Sequence, residues 1–263
     1  MNNTVQNSLI LGIDIGGTGI KGGIVDIAQG KMITKRHRIP TPKPATPDAV
    51  AETVKQIVVF FDWKGPIGFG FPALVQHGIV KTANNIDKNW IGTDAVQLFQ
   101  EKLQLPVQII NDADAAGLAE ISFGTPNAKN GIVMLLTLGT GIGSALFLNG
   151  HLLPNTELGQ VYLENGFLGE KYASEGVRKC NSLTWEQYGE QLNTYLKLIE
   201  KLFSPDLIIL GGGGSKKFHK IAPFLQIKTN VVPAVLGNHA GIIGAGVAAK
   251  QLLENVNFAN NSI

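Results

Sequence analysis

An α/β fold built from two related halves facing a cleft is the architecture this sequence predicts, on three observations. Two glycine-rich loops each follow an apolar run: Asp14-Ile15-Gly16-Gly17-Thr18-Gly19-Ile20-Lys21 after residues 9–13, and Thr137-Leu138-Gly139-Thr140-Gly141-Ile142-Gly143-Ser144-Ala145 after residues 132–136. The two loops align with one glycine dropped, and each runs on into an apolar strand and a turn, Gln29-Gly30 in one and Asn149-Gly150 in the other. Strands followed by helices then occur twice, which is the pattern of α/β halves. A repeat of whole-domain length excludes solenoids and propellers.

Taken in order, the first loop reads as a hairpin whose Gly-Gly turn needs positive φ. Such a turn aims backbone N–H groups outward as a cradle for phosphate oxygens. Thr18 adds a hydroxyl and Lys21 a positive charge. Asp14 repels phosphate unless a divalent cation sits between the two. Alone, these eight residues fit an ordinary surface hairpin equally well; the second loop tips the balance, since two such hairpins can grip one phosphate chain from both sides.

Residues 31–39 read as a third strand. Thr41-Pro42-Lys43-Pro44-Ala45-Thr46-Pro47 is a stiff loop ending in a helix start, with Thr46 as N-cap and Pro47 at the first helical position. Val50, Val54, Ile57, Val58 and Phe61 recur at helical spacing, predicting a helix over 48–61. Short strands are expected at 67–71 and 78–80, a helix at 93–102 and a buried strand at 107–110. Asn111-Asp112-Ala113-Asp114-Ala115-Ala116 then turns into a helix running to about residue 123. The second half repeats this order from Gly131. A long amphipathic helix covers 183–203, stopped by Ser204-Pro205, and a buried strand at 206–210 empties into four glycines, 211–214. A helix at 240–253, rich in Gly and Ala, closes the fold. The expected domains are 1–111 with 241–263, the smaller, and 112–240, the larger.

A chain of 263 residues can bury a large core. Its net charge of +2 is too mild to point to nucleic acid. Basic residues do cluster in Lys31, Lys35, Arg36, Arg38 and Lys43, and in Lys216, Lys217 and Lys220. Clusters of this size are usually solvated faces, though they also suit a polyanionic substrate. The single cysteine, Cys180, excludes an internal disulfide and a cysteine-based zinc site. No apolar run reaches the ~20 residues a membrane span requires, and the start lacks the basic region and cleavage site of a signal peptide. A cytoplasmic protein without a membrane partner is expected.

Asp112 stands where a buried strand gives way to a helix, the place at which α/β folds bind ligands. The helix N-terminus favours its charged form, and it could take a proton from a hydroxyl attacking phosphorus. Capping by Asp112 or Asp114 is the commoner job for such an aspartate; with two present, one can cap while the other works. Glu157, Glu170, Asn84 and Asn85 are each, singly, ordinary loop or helix-start residues. Together they offer acceptors for several hydroxyls, as sugar sites do. The run 211–214 would let a phosphate or an adenine approach the backbone. The chain has no Walker pattern, no Gly-x-Ser-x-Gly elbow and no His-Glu-x-x-His, and its five histidines show no ligand spacing.

Asp14-x-Gly-Gly-Thr-x-x-Lys21, Asn111-Asp112-x-Asp-Ala-Ala, Leu138-Gly139-Thr140-Gly141-Ile142-Gly143 and Gly211-Gly212-Gly213, in this order, resemble the ROK family of sugar kinases. Within it the resemblance is greatest to the bacterial polyphosphate glucokinases, through the 41–47 loop, Thr82-Ala83-x-Asn85-x-Asp-Lys-x-Trp90-Ile91-Gly92-Thr93, and Asn155-Thr156-Glu157. The resemblance implies the actin-like, hexokinase/ribonuclease H-like fold with a central cleft. It implies Asp112 as the base acting on the sugar 6-hydroxyl, and Asp14 as the residue placing Mg²⁺ through water. Phosphates would be held by Asp14, Gly16, Gly17, Thr18, Lys21, Thr140, Gly141, Gly212 and Gly213. Glucose would be held by Asn85, Asn111, Asp112, Glu157, Gln160 and Glu170, with inorganic polyphosphate, ATP or both as donor.

Three departures stand out. Glu157-Leu-Gly-Gln160 replaces the family's Glu-x-Gly-His, so the choice among hexoses is open. The family's cysteine-rich zinc loop is absent, so no zinc is expected. Pro72-Ala73 replaces Pro-Gly, which strains the loop if that position needs φ > 0. The other readings are an ATP-dependent hexokinase of the family acting on glucose, mannose or a related sugar, and a non-catalytic sugar-binding protein. A sugar-sensing repressor needs a DNA-binding module before the first strand, for which about eight residues leave no room. A homodimer is the default expectation for such an enzyme.

Overall fold

The apolar runs either side of the first glycine loop pair as an antiparallel hairpin, β1 (Leu9–Gly16) with β2 (Gly19–Asp26), closed by Gly17 and Thr18 alone. β3 (Lys31–Met32) and β4 (His37–Ile39) both pair with β2. The expected single third strand is thus two, because residues 33–36 leave the ladder between them. α1 (Pro47–Phe60) starts as expected, with Thr46 accepting from the Ala49 N–H at 3.4 Å. β5 (Ile67–Phe71) lies parallel to β1, while β6 (Val75–Gln76) and β7 (Ile79–Val80) form a small separate hairpin. α2 (Ala95–Leu103), capped by Asp94, leads to β8 (Val107–Asn111), parallel to β5. The sheet order is β3-β2-β1-β5-β8 with β4 off β2.

From β8 the chain enters α3 (Asp112–Ala119) without a loop, and a π-helical turn, Glu120–Gly124, continues it. The second sheet repeats the first: an antiparallel hairpin, β9 (Ile132–Leu138) with β10 (Ile142–Leu148), is extended by β11 (His151–Leu153). Three short helical segments follow, of which α4 (Gly169–Ala173) and α5 (Glu175–Cys180) matter below. α6 (Trp185–Phe203) is the long amphipathic helix, started by a capping box of Thr184 and Gln187 and ended by Ser204 in the left-handed region. β12 (Leu207–Gly211) runs parallel to β9, then come α7 (Gly212–Ser215), α8 (Phe218–Ile221) and β13 (Asn230–Pro233), parallel to β12. The closing helix α9 is Ala240–Ala248; of the rest of the expected 240–253 helix, residues 251 and 253 lie outside the described residues.

This computed structural model describes residues 8–250 and 252. The chain divides into two compact units, one running to Ala119 and resuming at His239, the other Glu120–Asn238. The first break lies beyond the anticipated 111, because α3 packs on α9, and the first unit, expected to be the smaller, is the longer of the two. Glycine makes that packing possible: a Cβ on Gly244 would strike the Ala115 carbonyl oxygen, and one on Gly12 or Gly68 would strike the carbonyls of Ile242 or Ala245. α9 therefore lies on the bare backbone of β1 and β5. On the other face, Leu11, Ile13 and Ile15 meet Val50, Val54 and Ile57 of α1, and Phe69 stacks on Phe99 of α2 at 4.6 Å. The second unit has its own core, in which Leu136, Leu138, Ile208 and Leu210 pack on Tyr188, Leu192, Tyr195 and Ile199 of α6.

Candidate active site

In the first unit the hairpin tip is built from backbone. None of Gly16, Gly17, Thr18 and Gly19 lies in the left-handed region, so the turn is not of the positive-φ kind the Gly-Gly pair suggested. The tip instead lies close to two neighbours, Asn85 and Arg38. A Cβ on Gly17 would lie 3.4 Å from the Asn85 carbonyl oxygen, and one on Gly19 would lie 2.7 Å from the Arg38 guanidinium carbon. Arg38 Nη2 donates to the Thr18 carbonyl at 2.7 Å, and the Thr41 hydroxyl donates to the Gly16 carbonyl. The 41–47 loop is tied down by the buried Trp90 ring, whose N–H donates to the Ala45 carbonyl at 2.9 Å.

Asp14 sits directly across from Lys21 in the ladder, and Lys21 Nζ donates to its carboxylate at 2.8 Å. Its carboxyl carbon is also 3.1 Å from where a Gly241 Cβ would stand, in the first turn of α9, whose positive N-terminal end favours a carboxylate. Asp14 is therefore balanced by Lys21 and the helix dipole together.

At the β8–α3 junction, Asn111 is a cap. The buried Asn111 side chain accepts from the Ala113 N–H at 2.8 Å and the Asp114 N–H at 3.2 Å, and donates to the Ala73 carbonyl at 3.2 Å. Each amide atom of Asn111 thus has a backbone partner, which makes it the residue that positions Asp112, half-buried in the first turn of α3. Ala73 is buried and outside the left-handed region, so replacing the family's glycine costs no backbone strain. Asn85 is exposed on the loop that passes the Gly17 turn.

In the second unit the hairpin tip, residues 139–141, is braced by α5: the Gly176 N–H donates to the Gly139 carbonyl at 2.8 Å. Thr140 is exposed, and a Cβ on Gly141 would strike the Glu170 carboxylate. Glu170 is also the neighbour of Glu157. Burial of the Glu157 carboxyl, and then the Glu170 charge, raise it above the ordinary glutamate range. The segment carrying Glu157 is fixed from both sides. Ser144 Oγ donates to the Thr156 carbonyl at 2.6 Å and accepts from the Leu158 N–H at 2.9 Å; the buried Tyr195 hydroxyl donates to the Leu158 carbonyl at 3.2 Å. Gln160 is exposed at the end of the 3-10 turn Leu158–Gln160. Gly212, with φ +77°, forms a bridge to Leu138, and a Cβ on Gly213 would lie 3.2 Å from the Glu175 carboxylate. These glycines pack closely against the second hairpin while Gly212 and Gly213 still face solvent.

Within the first unit, then, Asp14, Gly16, Gly17, Thr18, Lys21 and Asn85 gather around one hairpin tip, and Asn111 and Asp112 lie at the end of β8. Within the second, Thr140, Gly141, Glu157 and Glu170 are neighbours, and Gly212 and Gly213 adjoin the same hairpin. Arg38, Thr41, Ser144 and Tyr195 were not singled out individually by sequence reasoning. Their roles depend on which strand lies beside which, and no local pattern carries that.

Among the described residues, no group of three or more His, Cys, Asp or Glu gathers to hold a metal ion, and no helix is long and apolar enough to cross a membrane.

The sequence model of the ROK family matches residues 10–180. The chain is 48% identical over 239 residues to a polyphosphate glucokinase of Mycobacterium tuberculosis, covering 90% of each chain. The crystal structure of the inorganic polyphosphate/ATP-glucomannokinase of Arthrobacter sp. strain KM superposes with a TM-score of 0.87 at 47% identity, over 93% of this chain and 99% of that one. A ROK family glucokinase of Streptomyces griseus, crystallised with glucose and AMPPNP, shares the fold at 23% identity, with a TM-score of 0.78 over 92% of this chain and 99% of that one. The α/β fold is therefore the actin-like one of the ROK sugar kinases.

Proposed function

The chain belongs to the ROK family, and from that premise we propose that it is a polyphosphate glucokinase, transferring a phosphoryl group from inorganic polyphosphate to the 6-hydroxyl of glucose. The observation that carries this reading is the near-half identity to a polyphosphate glucokinase along nine-tenths of both chains. The hairpin geometry supports it, since an exposed Gly17-Thr18 turn braced from behind leaves backbone N–H groups available to phosphate oxygens.

In the proposed reaction the glucose 6-oxygen attacks the terminal phosphorus in line and the bridging P–O bond breaks. The shortened polyphosphate leaves with that bridging oxygen, and the hydroxyl proton passes to the Asp112 carboxylate. Asn111 holds the α3 N-terminus, so that Asp112 is presented with a fixed backbone. The N–H groups of Gly16, Gly17 and Thr18, and those of Thr140 and Gly141, are the proposed partners of donor oxygens, with Lys21 as a nearby charge. Gly212 and Gly213 would let the donor approach the backbone. Asn85, Glu157, Gln160 and Glu170 are the proposed partners of the sugar hydroxyls.

Asp14 is a single carboxylate, already bonded to Lys21, and among the described residues no group of three or more His, Cys, Asp or Glu includes it. A cation held chiefly by phosphate oxygens and water suits that donor set, and Mg²⁺ is such a cation. When bound, Mg²⁺ neutralises charge on the transferring phosphates. A cytoplasmic homodimer is the proposed setting, symmetric pairs being the common state of soluble enzymes. Gln160 at the family's histidine position, together with the Arthrobacter relative's name, makes mannose and ATP the first alternative substrates.

The test is glucose 6-phosphate formation with Mg²⁺, comparing polyphosphate and ATP, with Asp112→Asn alongside. Asp112→Asn is expected to lower kcat by about 10²–10⁴ while glucose still binds. Product from ATP alone would keep the family and the base and discard the donor. No product from either donor would move attention to mannose and Gln160.

A further inference from the structure

We propose that Arg38 is a donor-binding residue, a guanidinium that holds phosphate oxygens beside the first hairpin tip. It rests on the reading of that hairpin as a phosphate site. The geometry begins with register. Asp14 pairs with Lys21, and Lys21 with Arg38, so the three side chains form a row across β1, β2 and β4 on one face of the sheet. The neighbouring positions confirm the face: His37, one residue before Arg38, stacks on Phe60 of α1 at 3.8 Å, while Asp14 lies against α9.

Beside this row, toward the tip, Gly16 pairs with Gly19 on the same face, and neither has a side chain. A Cβ on Gly16 would lie 3.9 Å from Lys21 Nζ, and one on Gly19 would lie 2.7 Å from the Arg38 guanidinium carbon. Partly exposed Gly16 and buried Gly19 thus meet two cations, Lys21 and the Arg38 guanidinium that covers Gly19.

Their charges are not equivalent. Lys21 is neutralised by Asp14 at 2.8 Å. Among the described residues no carboxylate forms an ion pair with Arg38, whose bond runs from Nη2 to the Thr18 carbonyl at 2.7 Å. A guanidinium has five N–H donors in a planar fork, so that bond leaves most of them to receive phosphate oxygens. The ligand class is a linear polyanion of phosphates, the donor of the proposed reaction or a fragment of it. A guanidinium serving only to brace the turn would need its hydrogen bond and not its charge.

Arg38→Gln separates the two roles, since it keeps a side-chain N–H donor and removes the charge. Calorimetric binding of inorganic tripolyphosphate to the whole protein is measured together with the donor KM as salt is varied. Arg38→Gln is expected to weaken tripolyphosphate binding and raise the donor KM about tenfold. It should also flatten the logarithmic salt dependence by about one unit, as loss of one phosphate contact does. The glucose KM and the melting temperature should stay unchanged, Arg38→Lys should keep the salt slope, and Lys64→Gln, on an exposed residue paired with Asp62, should alter nothing. Wild-type binding and salt slope in Arg38→Gln would overturn the proposal and leave Arg38 as a brace. Wild-type protein that turns over ATP but not polyphosphate would sink the donor reading alone, because the Arg38 comparison is then made on ATP and on tripolyphosphate binding.

Discussion

Glu157 is the site residue whose chemistry depends on pH in a direction its surroundings set. A carboxyl raised by burial and by a neighbouring charge keeps its proton at pH values where a free glutamate has lost it. On the proposed reading, sugar hydroxyls donate to Glu157 most strongly in its ionised form, so the glucose KM should fall as pH rises through the range just above the ordinary glutamate pKa. Removing the neighbouring charge lowers the Glu157 pKa, so Glu170→Gln should move that limb to lower pH, and Glu157→Gln should abolish it. A pH profile of the glucose KM for the three proteins checks this; an unshifted limb in Glu170→Gln would show that Glu170 does not act on Glu157. Folding carries the opposite sign: the unfolded chain ionises first, so Glu157 costs stability as pH rises through the same window. At this scale, residue types in short patterns were legible. Asp14 and Lys21 lie across from one another on the first hairpin and Asp112 opens the helix after β8, the positions short patterns gave them; their roles are those proposed above. Asn111 as cap was not legible, because an Asn and two Asp side by side are all good cap residues and only the built hydrogen bonds choose among them.

Among elements, the hairpins and the long helices follow from pattern. Thr46 before Pro47 marked the start of α1. The 31–39 stretch misled, since alternation cannot reveal that four of its residues leave the ladder, and that gap sets the register bringing Arg38 opposite Lys21. The most consequential element contact is α9 on β1 and β5, where backbone meets backbone. A methyl group at Gly68 would need to displace the Ala245 carbonyl. Gly68→Ala is therefore expected to destabilise the protein by about 3 kcal/mol, measured by denaturant unfolding. A loss below about 0.5 kcal/mol, typical of a surface change, would mean that α9 does not lie this close.

For the molecule as a whole, the internal repeat was readable because both hairpins keep the same residues at their tips. Ile15 pairs with Ile20 as Leu138 pairs with Ile142, and each hairpin is flanked by a parallel strand. The division of the chain was less so, because the helical stretch from Asp112 to Gly124 crosses from one unit to the other with no break in pattern. A fragment of residues 8–119 lacks α9 and exposes the bare face of β1 and β5. It is expected to show no cooperative unfolding transition by circular dichroism, and to regain one when residues 239–252 are joined to it by a flexible linker. A cooperative transition in the fragment alone would show that the sheet does not need the helix.

That arrangement sets an order in time. The strands of the first unit leave the ribosome before the whole of Glu120–Asn238, and the helix that covers them leaves after it. Nascent chains generally fold from the N-terminal side as they emerge. Here the unit made first must wait, its glycine-lined sheet unclosed, while the unit made second already has every strand and helix it needs. Translation thus completes the later domain first, and the glycine-lined face left waiting in the meantime is the one a chaperone would meet.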